Sequence, residues 1–143
     1  MPEFKIVINE KGKSYGKILS TEESSNLINK KIKDKIEGGH MGFKGYEFEI
    51  SGGSDKEGFP MRYDVDGMGR KKIFLTRGNI GTRINKKGLR IRKSISGNTI
   101  SQLTSQVNLK VIKIGSKSLD EIFGKTAKEK KEEIKEESKE IKK

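Results

Sequence analysis

The sequence predicts a mainly β protein, a small antiparallel β-barrel of about six strands with two short helices and a charged C-terminal tail. Three observations support this fold class. Short β-branched and apolar runs recur between Gly-rich turns. Several of these runs alternate apolar and polar residues with the period of a half-buried strand. Two segments, at Ser20 and at Ser118, carry a capping box that predicts a short helix.

The first elements are predicted to be a β-hairpin and a helix. Residues 4–8 form an apolar run, and after a Gly-containing turn residues 14–19 return as the second strand. Ser20 and Glu23 fit the S-x-x-E capping box, so a short helix that reaches Ile28 is expected next.

The middle elements are predicted to be two strands separated by a loop. Tyr46, Phe48 and Ile50 alternate with polar residues, which predicts a half-buried strand. Residues 72–76 predict another strand. The turn-rich segment 52–61 between them predicts a tight loop, whose shaping residues are Gly52, Gly53, Gly58 and Pro60.

The last elements are predicted to be two strands and a helix. Leu89 and Ile91, each followed by an arginine, predict a strand on which both apolar side chains face inward. Residues 107–114 predict the final strand. Residues 118–121 form a second capping box and open a short helix that Gly124 would close.

The chain of 143 residues has the length of one domain. We place a β domain at residues 1–124 and a charged tail at residues 125–143. Fourteen of the 19 tail residues are charged, so this segment cannot build an apolar core. The tail is expected to be disordered or a solvated helix.

Composition excludes several classes of site. The chain has no Cys and a single histidine, His40, so thiolate metal sites and His-based triads are not expected. The Gly-rich segments lack the lysine and hydroxyl of a nucleotide-phosphate loop. We predict no catalytic residue, no metal, no cofactor and no small-molecule substrate. Because no membrane-spanning run or signal peptide is visible, a cytoplasmic protein is expected.

The net charge of +12 comes almost entirely from one segment. Residues 70–99 contain ten basic side chains and no acidic one, and no carboxylate lies between Asp66 and Asp120. Like charges this dense repel one another unless a polyanion neutralises them. A basic surface kept for solubility would intersperse both signs, and a membrane-binding helix would need an apolar stripe that this segment lacks. Nucleic acid is therefore the favoured partner.

Basic side chains on strands and turns are the predicted RNA contacts. Arg90 and Arg92 are expected to point outward, where one guanidinium group can bind two oxygens of a phosphate in a bidentate way. Residues 75–122 contain no aromatic side chain, which favours recognition of folded RNA by charge and shape over base stacking. The loop that holds Lys56 and Arg62 either presents them to RNA or has a shaping role only. The predicted contacts are Lys56, Arg62, Arg70, Lys71, Lys72, Arg77, Arg83, Lys86, Lys87, Arg90, Arg92 and Lys93.

Three segments resemble one known family. The loop GGSDKEGFPM at residues 52–61, with the strand YEFEI before it, resembles the signature of the archaeal and eukaryotic small-subunit ribosomal protein six-e family. Residues 88–100 are similar to the second signature of that family, and residues 105–111 to its last strand. The resemblance spans about residues 2–124.

This resemblance implies a β-barrel-like protein of the small ribosomal subunit that binds rRNA, lies beside other ribosomal proteins and has no catalytic activity. It further implies a cytoplasmic, ribosome-bound protein, which we expect to be a monomer off the ribosome. Ser138 is the single serine in a tail that contains no arginine, so the phosphorylation of eukaryotic members is not carried over. The short tail suggests the archaeal branch.

Two other function classes stay open at this point. An RNA-processing or RNA-modification enzyme on a small β-barrel would need a cofactor loop or an acid–base set, and the sequence offers neither. A protein-binding adaptor would use the charged tail.

Overall fold

The computed structural model describes residues 4–115 and 117–123. The predicted tail and the helix end at Gly124 lie outside these residues. Seven strands occur within them: β1 (Lys5–Glu10), β2 (Lys13–Ile18), β3 (Lys35–Glu37), β4 (Glu47–Asp55), β5 (Arg70–Leu75), β6 (Ile91–Ser96) and β7 (Thr104–Lys113). The same residues hold one α-helix, α1 (Thr21–Ser25), a 3-10 helix at Gly38–Met41 and a helical segment at 119–123.

The mainly β class is confirmed, but the predicted barrel is not. The main sheet has the order β2-β1-β7-β4-β3, and β5 pairs with β6 in a separate hairpin. A barrel would require the two edge strands of the main sheet to pair along their length. Instead β3 has only three residues, and a 3-10 helix follows it directly. The sheet is also not wholly antiparallel, because β1 and β7 run parallel.

The centre of the main sheet is built from alternating apolar residues. Ile6 lies beside Val107 and Ile8 beside Leu109 in the parallel pair of β1 and β7. All four side chains are 0% exposed, because a strand turns every second side chain to the same face. The predicted first hairpin is confirmed, since β1 and β2 pair antiparallel.

Helix α1 begins with the predicted capping box. The Ser20 hydroxyl accepts a hydrogen bond from the Glu23 amide, and the Glu23 carboxylate accepts one from the Ser20 amide at 3.1 Å. The helix is shorter than predicted and ends before Asn26 instead of reaching Ile28. After this end, the chain turns so that Leu27 enters the core at 0% exposure.

Strand β4 is longer than predicted, so the first part of the expected loop is strand. It continues through Gly52 and Gly53 to Asp55, with register shifts against β7 at Ile50/Gly52 and Ser54/Asp55. A Cβ atom on Gly53 would lie 2.3 Å from the Gln106 carbonyl oxygen, so only glycine fits this close approach of two strands. The loop itself begins at Lys56.

Buried apolar side chains lie in one main core and on the β5–β6 hairpin. The main core packs around aromatic rings, with Phe43 and Phe48 edge-to-face at 5.7 Å between centroids. Three further buried apolar residues are not part of that core: Leu75 on β5, Ile95 on β6 and Ile84 between the two strands are at most 6% exposed. The hairpin therefore has buried apolar side chains of its own.

Candidate nucleic-acid interface

The hairpin of β5 and β6, with its connecting segment 76–90, carries the candidate site. We call residues 70–96 the basic hairpin. It contains all ten basic side chains of the 70–99 segment and no acidic residue. Excess positive charge that is scattered through one stretch of sequence is thus concentrated on one supersecondary element.

The strand register separates the two faces of the basic hairpin. Leu75 lies opposite Ile91 on the inner face, and the Leu75 side chain is 1% exposed. Lys72 lies opposite Ser94, and Phe74 opposite Arg92, on the outer face. Side chains opposite one another in an antiparallel pair share a face, so Lys72, Phe74 and Arg92 are neighbours there.

Arg70, at the start of β5, is held by carboxylates. Its Nε donates to Asp55 Oδ2 at 2.5 Å and its Nη1 to Glu57 Oε2 at 2.5 Å, while the guanidinium lies 5.1 Å from the Phe59 ring centroid. These hydrogen bonds, the one to Asp55 above all, raise the pKa of Arg70. Asp55 is 3% exposed and also accepts from the Lys56 amide at 2.6 Å. Arg70 therefore fastens β5 to the end of β4.

Arg62 is held in a similar way. Its Nε donates to Asp64 Oδ1 at 2.8 Å, and its Nη2 donates to the other carboxylate oxygen. The hydrogen bonds from Arg62 lower the pKa of Asp64. The Arg62 side chain is only 13% exposed, and its buried Nη1 has no partner among residues 4–115 and 117–123. Most of this guanidinium is thus turned away from solvent.

The loop over residues 56–69, which we call the anchor loop, is held against the end of β6 and the two residues that follow the basic hairpin. The Asn98 amide donates to the Val65 carbonyl at 2.8 Å, and the Asn98 side chain donates to Asp66 Oδ1 at 2.7 Å. The Pro60 carbonyl accepts from the Ser96 amide at 3.0 Å. A Cβ on Gly97 would lie 1.9 Å from a carbonyl oxygen of this loop. Of the four predicted shaping residues, Gly52 and Gly53 lie in β4, and Gly58 and Pro60 lie in the anchor loop, where both form backbone hydrogen bonds.

The remaining basic side chains have no carboxylate partner within the described part of the chain, so nine of the ten charges on the basic hairpin are unpaired. Lys71 Nζ donates to the Asp66 carbonyl at 2.9 Å and Lys93 Nζ to the Gly81 carbonyl at 3.3 Å. Seven predicted contacts are exposed and form no side-chain hydrogen bond or ion pair with these residues: Lys56, Lys72, Arg77, Arg83, Lys86, Lys87 and Arg90.

A cleft adds shape to this charged surface. It has a volume of about 440 Å³ and is lined by Gly81, Thr82, Arg83, Ile91 and Lys93. Two cations and a hydroxyl at one concavity are the groups that bind phosphate oxygens. The connecting segment 76–90 therefore offers a recess as well as exposed charges.

The prediction for the arginine strand is only partly correct. Ile91 faces inward and Arg92 outward, as expected from strand alternation. Leu89 was expected to face inward, but it lies before β6 and is 45% exposed. Arg90 also lies before β6 and is exposed. The strand begins two residues later than its apolar pattern indicates.

Phe74 was missed as a surface residue. The sequence predicted a strand centred on three apolar side chains, but Phe74 is 69% exposed. The sequence contained the signal, because alternation along a strand puts Ile73 and Leu75 on one face and Phe74, with Lys72, on the other.

Other classes of site are not found in the described residues. Residues 4–115 and 117–123 hold no group of three or more His, Cys, Asp or Glu side chains placed to bind a metal ion. No helix among them is long and apolar enough to cross a membrane.

Comparison with known proteins identifies one family. A family model described as Ribosomal protein S6e matches residues 3–124. A relative from Methanosphaera stadtmanae, named Small ribosomal subunit protein eS6, is 42% identical over 129 residues, which cover 90% of this chain and 98% of the relative. A protein of the same name from Methanococcus maripaludis strain C7 is 44% identical over 118 residues, covering 81% and 92%. Another from Nanoarchaeum equitans is 40% identical over 119 residues, covering 83% and 88%.

Proposed function

The chain belongs to the ribosomal protein S6e family, and from this premise we propose that its basic hairpin binds folded rRNA of the small subunit. The names of its relatives identify a structural protein of the small ribosomal subunit, not an enzyme. No observation favours the RNA-modifying enzyme that the sequence left open.

One observation supports the RNA contact. Nine basic side chains of the basic hairpin lack a carboxylate partner within the described residues, although the first 69 residues of the chain hold twelve acidic side chains. Unpaired charges of one sign at this density destabilise a compact protein by mutual repulsion. A polyanion removes that cost, because each phosphate contact also releases a condensed counterion.

The predicted contact residues divide into two roles in this proposal. The nine unpaired cations of the basic hairpin, which include Lys71, Arg92 and Lys93, contact phosphates and sugars directly. Arg62 and Arg70 hold the anchor loop and the start of β5 through their carboxylate partners. They therefore position the contact surface, even though Arg70 retains 30% exposure of its side chain. Lys56, exposed at the start of the anchor loop, joins the contacts.

Other partners follow from membership of a ribosomal subunit. We propose that neighbouring ribosomal proteins also contact this chain on the subunit. The proposed location is the cytoplasm, on the small subunit, and the proposed state off the ribosome is a monomer.

Salt-dependent fractionation tests the proposal. We expect the protein to sediment with small subunits at low salt and to be released at high salt. If about five phosphates are neutralised, the logarithm of the binding constant for rRNA falls with the logarithm of the salt concentration at a slope of about −4 to −5. A protein that stays in the supernatant at low salt, or an rRNA affinity that does not depend on salt, would contradict the proposal.

A further inference from the structure

Phe74 is the most exposed large apolar side chain in the described part of the chain, at 69%. It lies near the end of β5 on the outer face of the basic hairpin, opposite to the face on which Leu75 is buried. A phenyl ring on a paired strand cannot turn inward without a change of register, because the strand fixes its face. The ring is therefore held at the surface by the fold itself.

The neighbours of the Phe74 ring on the outer face are cations. The Arg92 guanidinium carbon lies 5.9 Å from the ring centroid, which is within reach of a cation–π contact. Lys72 lies two residues earlier on the same face, is exposed and forms no ion pair within the described residues. No carboxylate occurs between Asp66 and Asp120. The ring thus lies in a positively charged surrounding.

The combination points to one kind of occupant. An apolar protein surface that covered the ring would also have to desolvate Lys72 and Arg92, which is unfavourable without paired acids. Nucleic acid satisfies both needs, since a base offers a planar face to the ring and the adjoining phosphates pair with the cations. Proteins that bind single-stranded segments combine an aromatic side chain and a basic groove in this way.

We propose that Phe74 stacks on an unpaired base of the small-subunit rRNA, while Lys72 and Arg92 contact the phosphates beside that base. This inference rests on the proposed rRNA binding and adds to it a local, base-level contact. It also revises the sequence-based expectation of recognition by charge and shape alone, because Phe74 lies one residue outside the aromatic-free segment.

A single tryptophan reports the contact directly. The chain contains no Trp, so Phe74→Trp places one indole at the proposed site. We expect its fluorescence to be strongly quenched when deproteinised archaeal small-subunit rRNA is added, because stacking on a base quenches an indole. Ile18→Trp is the matched control, since Ile18 is 67% exposed on edge strand β2 of the other sheet. Equal quenching at both positions, or none at position 74, would overturn the inference.

Affinity separates the base contact from the phosphate contacts. Phe74→Ala is expected to weaken binding to the same rRNA about 10-fold without changing the salt slope, because stacking involves no counterion release. Phe74→Leu keeps an apolar side chain and is expected to lose as much affinity, whereas Phe74→Trp retains it. Circular dichroism and thermal melting verify that each variant is folded.

The outcomes distinguish this inference from the proposed function. If the wild type binds rRNA with a steep salt slope and Phe74→Ala binds equally well, the stacking inference is wrong and the proposed function stands. If Phe74→Ala binds naked rRNA normally but fails to enter subunits assembled with the other ribosomal proteins, the ring contacts protein, and the inference is again wrong. If the wild type does not bind rRNA at all, the proposed function fails, and the inference fails with it.

Discussion

Replacing Arg90 and Arg92 together by alanine tests the phosphate contacts at the end of the basic hairpin that adjoins its connecting segment. Both side chains are exposed and neither forms an ion pair within the described residues. Each arginine that neutralises a phosphate contributes about 1 to the salt slope, so the double variant should reduce a slope of about −5 to about −3. At about 1 kcal/mol for each solvent-screened contact, the affinity should fall about 30-fold at moderate salt.

The fold should tolerate this double substitution. The one described contact of the two guanidinium groups is between Arg92 and the exposed Phe74 ring, so the loss of unfolding free energy should stay within about 0.5 kcal/mol for each surface change. Filter binding to small-subunit rRNA across a salt series measures affinity and slope, and circular dichroism measures the fold. An unfolded double variant would show that the strand assignment is wrong.

A matched control removes the same charge elsewhere. Lys35→Ala with Lys44→Ala also takes away two positive charges, and both lysines are exposed on the part of the protein that carries the main sheet. We expect this control to change the slope far less than the arginine pair does. If the two double variants lose equal affinity, binding follows net charge rather than the basic hairpin, and the reasoning is refuted.

Three further predictions concern stability. Asp55→Asn should lower the free energy of unfolding in urea by about 2 kcal/mol, because Asp55 is buried and accepts hydrogen bonds from Arg70 and from a backbone amide. Glu57→Gln, at the exposed second partner of Arg70, should cost less than about 0.5 kcal/mol, and equal costs would contradict the proposal that the Asp55–Arg70 pair anchors β5. Gly97→Ala should destabilise by about 1–3 kcal/mol, since its Cβ would meet a carbonyl oxygen at 1.9 Å, whereas Gly39→Ala, with no heavy atom within 4 Å, should be within about 0.5 kcal/mol of the wild type in the same urea titration. Hydrogen bonds from Tyr15 and Lys13 on β2 lower the pKa of Asp120. The stability that the Asp120 carboxylate contributes is therefore present above its ordinary pKa of 3.8 and is lost as the pH falls through the lower folded pKa. The melting temperature of Asp120→Asn should therefore lie below that of the wild type at neutral pH and approach it in acid, and a gap that widens in acid would refute this assignment.

Local signals in the sequence predict most of the elements. The apolar alternation of β1, β4 and β7 and the capping box at Ser20 each depend on residues within one element, so they survive folding unchanged. The strand pairing depends on distant residues. Nothing local shows that β1 lies parallel to β7, or that the hairpin of β5 and β6 leaves the main sheet unclosed.

The candidate site follows the same division. Charge counting along the sequence predicts where the unpaired cations lie, because no acidic residue occurs in residues 70–99. It does not predict that Arg70 is neutralised by Asp55 and Glu57, which lie 15 and 13 residues earlier in the chain. The exposure of Phe74 is a local signal that the sequence does contain, because the alternation of β5 puts Ile73 and Leu75 on the face opposite to Phe74.

Directed hydroxyl-radical probing tests most directly whether the basic hairpin faces rRNA. The chain contains no Cys, so a single cysteine carries a tethered iron chelate to one chosen position. Asn85→Cys places the probe on the exposed connecting segment of the basic hairpin without removing a charge, and Asn26→Cys places it after helix α1. We predict strong, localised rRNA cleavage from position 85 and much weaker cleavage from position 26 in assembled small subunits. Strong cleavage from position 26 with none from position 85 would contradict the assignment of the basic hairpin as the RNA-binding surface.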